Sequence, residues 1–306
     1  MPDLSDGRAG RIYFESLTPI GHFQLARHQV PQRTMVFGTL SLPPASAGQV
    51  PAMVIAHGGD GVTDVRDFWW AEHFLSMGVA AFVVDSFTPR NVRETATNHA
   101  ELTAAADMAD ALSSLRLLAS HPRIDSRRIG IIGFSRGGTV ALQTSFEVYR
   151  TAVVSDDTRF ALHVALYPTC NDRQVTHDLT KAPLLVLLGG RDDWTPAEAC
   201  QDYARWFQSK GVDIRVITYP DAFHGFDSPQ PPAFISSLAN YKNCDRTTDV
   251  DALKVWSLPA HEDITKIVAP YLRRCTGRGA TVGGDPAARR QATDDVKDFL
   301  KRVFKL

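Results

Sequence analysis

The chain lacks the features that would mark several other classes of protein. No apolar run approaches the ~20 residues that a membrane-spanning helix needs. There is no basic excess either: lysine and arginine total 33 against 34 acids, for a formal net charge of −1. A nucleic-acid binder carries a basic face, whereas the short pairs Arg127-Arg128, Arg273-Arg274 and Arg289-Arg290 read as solvated helix faces. Neither a Cys-x-x-Cys nor a His-Glu-x-x-His spacing occurs, so no metal site and no cofactor is expected. Residues 1–11 are polar and lack a signal-peptide core. That points to the cytoplasm by default, with a periplasmic or secreted location open if a leader was removed. Cysteine is scarce: Cys170, Cys200, Cys244 and Cys275 are either four free thiols or two bridges. If bridged, Cys170 and Cys200 flank neighbouring strand ends and pair, leaving Cys244 and Cys275 to staple the segment between them.

What is present is a repeating order of short apolar runs and amphipathic stretches. Residues 12–42 read as a lead-in containing strands, closed by Pro43-Pro44. Apolar runs follow at 53–57, 79–85, 129–134, 160–167, 184–188 and 214–219. Helical patterns fall at 65–77, 100–120, 137–148 and 196–210. Runs that are apolar at consecutive positions indicate strands covered on both faces, hence a mostly parallel central sheet flanked by helices. Functional residues then gather at the C-terminal ends of the strands. Beyond His224 the pattern changes. Residues 228–284 open Pro-rich and close Gly-rich, with a helix expected at 262–273, and residues 287–304 form a last amphipathic helix. The expectation is one domain over 1–306, with 228–284 inserted in it as a cap-like segment.

The strongest signal is Gly133-Phe134-Ser135-Arg136-Gly137, followed by Gly138. Glycines two residues to either side of a serine let the backbone turn sharply from strand into helix. The hydroxyl is then exposed at a helix N-terminus, where free amides favour developing negative charge. The Arg136 amide is one expected oxyanion donor. The loop His57-Gly58-Gly59-Asp60-Gly61 supplies the second, with Gly59 first choice and Asp60 next, while His57 reads as a buttress of that loop. Serine needs a histidine to take its proton, and the histidine needs a carboxylate to orient it. The elbow predicts the chain order Ser, Asp, His. Asp192 follows the run at 184–188 and His224 follows the run at 214–219, so Ser135, Asp192 and His224 form the expected triad. Adjacent Asp193 is expected to cap the helix after Pro196, and His163 reads as a core histidine inside a strand.

With these motifs assembled, the chain resembles the dienelactone hydrolase family of α/β hydrolases, as a member with a serine nucleophile. The matching pieces are His57-Gly58-Gly59, Asp85-Ser86-Phe87-Thr88-Pro89-Arg90, Gly133 to Gly138, Asp192-Asp193-Trp194-Thr195-Pro196 and Ala222-Phe223-His224-Gly225-Phe226. The resemblance covers about residues 50–227 and the last helix. It implies the α/β-hydrolase fold and hydrolysis of a small-molecule ester or lactone through an acyl-enzyme. The enzymes that give the family its name carry cysteine at the elbow, and Ser135 moves the expectation towards a general carboxylesterase. Trp194 and the arginines Arg90, Arg136 and Arg191 are candidate substrate contacts, the arginines as receivers of a carboxylate or simply as loop-packing residues. The same triad serves a peptidase or an acyltransferase equally well. A non-catalytic binding member of the fold would predict a missing triad residue.

Overall fold

The computed structural model describes residues 3–44 and 48–306. The chain runs β1 (Gly10–Leu17), α1 (His22–Ala26), β2 (Arg33–Ser41), β3 (Val50–Ala56), α2 (Trp69–Ser76), β4 (Ala80–Asp85), α3 (Ala104–Ala119), β5 (Ile124–Phe134), α4 (Arg136–Gln143) and α5 (Glu147–Val153). It continues through β6 (His163–Leu166), β7 (Asp172–Val175), β8 (Leu184–Gly189), α6 (Ala197–Ser209), β9 (Ile214–Tyr219) and β10 (Ala233–Asn240). It ends with β11 (Arg246–Asp249), β12 (Lys254–Ser257), α7 (Val268–Cys275), β13 (Gly277–Val282) and α8 (Pro286–Phe304). Eight strands make one sheet in the order β1-β2-β4-β3-β5-β6-β8-β9. The β1–β2 and β2–β4 pairs are antiparallel, and the other neighbours run parallel.

Every residue of β3 and of β8 is buried, which is what consecutive apolar residues imply. Alternate side chains of one strand enter opposite layers. Val54, Ile131 and Val186 pack with Leu112 and Leu115 of α3 and Phe207 of α6. Ile55, Ile132 and Leu187 pack with Trp70 and Phe74 of α2 and Phe299 and Leu300 of α8. Truncating any of these fully buried leucines to alanine costs about 2–5 kcal/mol, so the sheet is held from both sides. Because β4 and β5 flank β3 on opposite sides, the order reverses there, and the crevice beyond the strands' C-terminal ends opens at this point.

Helix boundaries depart from the periodic pattern where side chains compete for the backbone. The stretch expected at 137–148 breaks into α4 and α5, because the Thr144 and Ser145 hydroxyls donate back to the Ala141 and Leu142 carbonyls. The stretch expected from residue 100 begins at Ala104, where the Thr103 hydroxyl accepts from the Ala105 amide at 3.2 Å. Residues 228–284 differ most from expectation. Their helix covers only Val268–Cys275, since Asp263 accepts from both the amide and the hydroxyl of Thr265 and holds that stretch in a turn. Four short strands went unforeseen: β10 pairs with β13, while β11 pairs with β12 and, in parallel, with β7. Among the described residues no helix is long and apolar enough to cross a membrane.

Two disulfides fasten this architecture. Cys170–Cys200 ties the loop after β6 to α6, and Cys244–Cys275 closes residues 228–284 on themselves. They span 30 and 31 residues, so each is expected to contribute about 3–4 kcal/mol by restricting the unfolded chain. Without reductant no thiol should alkylate in the intact protein, and Cys244→Ser with Cys275→Ser should lower the urea midpoint accordingly. Four alkylated thiols by mass would refute the pairing.

His163 sits in β6 wholly buried, its Nδ1 hydrogen-bonded to the Ala141 carbonyl at 2.8 Å. Burial pushes its imidazolium down from the ordinary 6.5 to about 4. The unfolded chain therefore binds this proton more readily. The associated stability is fully present above pH 6.5 and declines as pH falls towards 4, by at most about 3 kcal/mol. Urea midpoints at pH 7 and pH 4.5 should show the fall, and His163→Leu should make it smaller, the remainder coming from His22 and His99, which burial likewise holds near 4; an unchanged slope would remove His163 from the account.

Candidate active site

Ser135 lies between the end of β5 and the start of α4, with φ 53° and ψ −113°. A non-glycine residue in that region carries strain of about 1–3 kcal/mol, and its neighbours explain how it is held. A Cβ on Gly133 would strike the Gly137 carbonyl, and a Cβ on Gly137 would strike the Ala56 carbonyl at the end of β3. A Cβ on Gly138 would come within 2.7 Å of the Leu166 carbonyl. Only glycine at all three lets α4 begin this close to β3 and β6. The Ser135 amide donates to the Leu166 carbonyl at 2.9 Å, which fixes the turn.

The loops after β8 and β9 approach each other in the same way. Cβ atoms on Gly189 and Gly190 would lie 2.6 Å from the Ala222 carbonyl and 2.5 Å from the Pro220 carbonyl. The Arg191 amide donates to the Ala222 carbonyl at 2.9 Å. This contact brings Asp192 and His224 together across 32 residues. His224 Nδ1 lies 2.8 Å from Asp192 Oδ2, and His224 Nε2 lies 2.9 Å from Ser135 Oγ. The other carboxylate oxygen, Asp192 Oδ1, accepts the amides of Trp194 and Thr195 at 2.9 and 2.8 Å. Asp192 and His224 are both buried, with side chains 1% and 3% exposed. The histidine ring is gripped by Tyr167 and Trp194, each with its ring centroid 4.7 Å away.

The remaining expected residues divide. The Arg136 amide is the first of α4, where helical geometry leaves it without an intrahelical partner. It and Gly59 line a cavity of about 660 Å³ together with Ser135 and Trp194. His57 buttresses its loop, its Nδ1 at 2.8 Å from the Gly58 carbonyl and its Nε2 accepting the Ser86 amide at 3.2 Å. The arginines need correction. Arg90, expected to meet a substrate carboxylate, forks onto Asp110 at 2.7 and 3.0 Å and also donates to the carbonyls of Ser86 and Leu17. Arg191 stands exposed over the Phe223 ring and is absent from the cavity wall. The Arg136 side chain does line the cavity, but its guanidinium is engaged by Asp107 and the Leu102 carbonyl. Asp193 does not cap α6: it accepts from the Thr281 amide and hydroxyl at 2.7 and 3.0 Å, tying β13 to the acid loop.

Sequence reasoning missed several supporting residues. Thr195 donates its hydroxyl to Asp192 Oδ2 at 2.8 Å and lies 3.1 Å from His224 Nδ1, so it helps fix the carboxylate. Its place three residues after Asp192 was a usable local signal. Asp227 accepts from Trp70 Nε1 at 2.8 Å and from the Tyr167 hydroxyl at 2.5 Å, bracing the ring against which His224 packs. Burial pushes the Asp227 carboxyl above the usual carboxylate range, opposed by those hydrogen bonds. No sequence spacing links residues 70, 167 and 227. A second groove of similar size, about 670 Å³, lies around Glu147 and Asp251 and includes none of these residues.

A strand order reversed at β3, an elbow serine after β5, and an acid and a histidine after the two strands that follow β6 in the sheet define an α/β hydrolase. Residues 37–254 match the model of the dienelactone hydrolase family, and the chain belongs to that family. Acylamino-acid-releasing enzyme 2 of Oryza sativa subsp. japonica is 25% identical over 224 residues, covering 59% of this chain and 28% of the rice protein. The chain thus spans less than half the length of the first curated relatives it matches, 28% and 43%. Among solved structures, MGS-M1, an alpha/beta hydrolase from a Medee basin deep-sea metagenome library, aligns with TM-score 0.57 at 17% identity over 98% of this chain and 100% of its own. A dienelactone hydrolase-like promiscuous phosphotriesterase from metagenomic libraries aligns with TM-score 0.55 at 14% identity, covering 96% and 99%. At these identities the structural likeness speaks to fold.

Arg90 offers a direct test of the correction. Removing one partner of a buried pair strands the other charge and costs about 3–5 kcal/mol, and Asp110 is wholly buried. Arg90→Met should therefore lower the urea midpoint strongly, and Arg90→Met with Asp110→Leu should recover most of the loss. If Arg90→Met instead leaves stability intact and raises KM only for carboxylate-bearing esters, the ion-pair assignment is wrong.

Proposed function

We propose that this protein is a serine hydrolase that cleaves carboxylic esters or lactones through an acyl-enzyme, with Ser135, His224 and Asp192 as its triad. The observation that carries the reading is the unbroken hydrogen-bond chain from Ser135 Oγ through His224 to Asp192, starting at a strained elbow. Ser135 Oγ attacks the carbonyl carbon as its proton passes to His224 Nε2. The carbonyl oxygen takes the negative charge, and the amides of Arg136 and Gly59 donate to it. Collapse expels the alcohol, which receives the proton from His224. Water then attacks the acyl-enzyme by the same route and regenerates Ser135. Asp192 accepts from His224 Nδ1 and so holds the tautomer that leaves Nε2 free to accept.

Membership of a hydrolase family supports the substrate class. The rice relative, named for releasing acylamino acids, favours a second reading: the same machinery acting on an acylated peptide end. A chromogenic peptide anilide assayed beside p-nitrophenyl esters separates the two. Residues 228–284 act as the cap of the site in this reading, since β13 and Asp193 join them to the acid loop. Two bridged cysteine pairs favour an oxidising compartment over the cytoplasm.

A fluorophosphonate probe should label Ser135, and Ser135→Ala should abolish labelling and cut kcat by about 10⁴–10⁶. Asp192→Asn should lower kcat by up to ~10⁴-fold. Asp193→Asn should loosen β13, with a stability loss of about 1–3 kcal/mol, and spare turnover. Near-full esterase activity in Ser135→Ala would sink the proposal, and inactivity of Asp193→Asn alone would move the acid by one residue.

A further inference from the structure

The loop that follows β3 is a tight turn, closed where the Gly61 amide donates to the Gly58 carbonyl at 3.1 Å. That carbonyl lies 2.8 Å from His57 Nδ1 as well. His57 Nε2 accepts the Ser86 amide, so Nδ1 is the nitrogen that carries the proton and donates to it. A trans peptide points its carbonyl and its following N–H in opposite directions, and the Gly59 amide therefore faces away from these partners. The Gly59 carbonyl is held in its turn by the Thr95 amide at 2.7 Å. The Gly59 amide itself has no acceptor among the described residues. Its direction is set by how firmly the turn around it is held.

Arg66 holds the far side of that turn. It stands on the π-helical turn Asp64–Phe68 that leads into α2, and its side chain is only 12% exposed. Nη1 donates to both Asp60 carboxylate oxygens, at 2.8 and 2.9 Å, and Nη2 donates to the Gly61 carbonyl at 2.7 Å. The fork is braced by Asp67, wholly buried, which accepts from Nη2 at 3.0 Å and from the Thr63 amide at 2.7 Å. The guanidinium also lies over the ring of Phe134, the residue before Ser135, 5.4 Å from its centroid. One planar cation thus ties two consecutive residues of the Gly59 loop to the strand end that delivers Ser135. An ammonium, as a compact point charge, lacks the fork that reaches all of these acceptors. Arg66 is absent from the cavity wall, so it acts on a bound ester only through the loop.

We propose that Arg66 is the positioning residue of the oxyanion site: by holding Asp60 and Gly61 it keeps the Gly59 amide aimed at the oxygen that becomes negative. The inference rests on the ester-hydrolase reading and on its use of that amide. Preorganised donors act by needing no reorientation as charge develops. A loosened turn therefore costs turnover and leaves ground-state binding alone.

Arg66→Ala should lower kcat for p-nitrophenyl esters by about 10- to 100-fold, counted per Ser135 titrated by a fluorophosphonate, with KM within about three-fold. A trifluoromethyl ketone, whose adduct with Ser135 places an oxyanion at the same point, should lose affinity by a similar factor. The matching trifluoromethyl carbinol, which forms no adduct, should bind as before. Methylguanidinium should restore part of kcat to Arg66→Ala, and methylammonium should not. Arg66→Ala leaves Asp67 buried without its cation. Arg66→Ala with Asp67→Asn, and Asp60→Asn with the rest of the fork intact, therefore decide the matter if the first variant does not fold; both should show the same split, the second more weakly. The role is overturned if kcat per titrated serine is unchanged, if KM alone rises, or if the carbinol loses as much affinity as the ketone. An unmodified protein that neither hydrolyses any ester nor reacts with the fluorophosphonate removes the hydrolase reading and the role of Arg66 with it. Full activity in the unmodified enzyme and in all three variants removes Arg66 alone.

Discussion

The structure depends on one steric constraint, the close approach of α4 to the ends of β3 and β6. Gly133, Gly137 and Gly138 have carbonyls where a side chain would begin. Their bareness lets a helix start within one residue of a strand, and Ser135 absorbs the whole change of direction at φ 53°. From that single turn follow the exposure of the hydroxyl, the free amide of Arg136 and the proximity of Gly59. The two-sided core makes the constraint affordable. Ile131 and Ile132 of β5 are anchored in opposite layers, so the strand cannot slide to relieve the strain.

The same device recurs at Asp192 and His224. Gly189 and Gly190 press onto the backbone of residues 220–223, and the two loops become one body. Around it the polar groups are arranged in order of need. Asp192 spends its acceptors on two amides, the Thr195 hydroxyl and His224. Residues 228–284 reach the same loops from outside, through Asp193 to Thr281 and through the Gly283 amide to the His224 carbonyl at 2.9 Å. The segment is therefore coupled mechanically to the loops that carry Asp192 and His224, and its own shape is kept by Cys244–Cys275. A segment fastened in this way also supplies cavity wall, as Arg246 and Tyr241 do.

Elements with a strong local signature were legible in the chain. The apolar runs at 129–134 and 184–188 lie within strands, because a strand buried on both faces needs apolar residues at every position, and 214–219 matches the edge strand β9, where only Ile214 and Tyr219 are buried. Gly133 to Gly138 was legible because a sharp turn restricts residue type at fixed offsets. Hidden strands such as Arg246–Asp249 carry no apolar alternation, since half of their partners come from β7, over seventy residues earlier. The breaks in the helices at Thr144 and Asp263 were hidden for a related reason: a hydroxyl or carboxylate bonding its own backbone disturbs no periodicity.

Sequence alone determined the parallel strands, their flanking helices and the order in which Ser135, Asp192 and His224 follow strand ends, because each is tied to its strand end by residues within a few positions of it. Tertiary structure alone decided which carboxylate each arginine meets. Arg90 and Arg136 have the same chemistry on paper, but Arg90 is consumed by Asp110, twenty residues away, while Arg136 lines the cavity with its guanidinium held by Asp107. It also decided the cavity's polar end, where His22, Gln143 and Arg246 meet from three distant parts of the chain. A hydrogen bond acts over about 3 Å of space and is indifferent to separation along the backbone, so only the folded chain reveals which polar groups find partners.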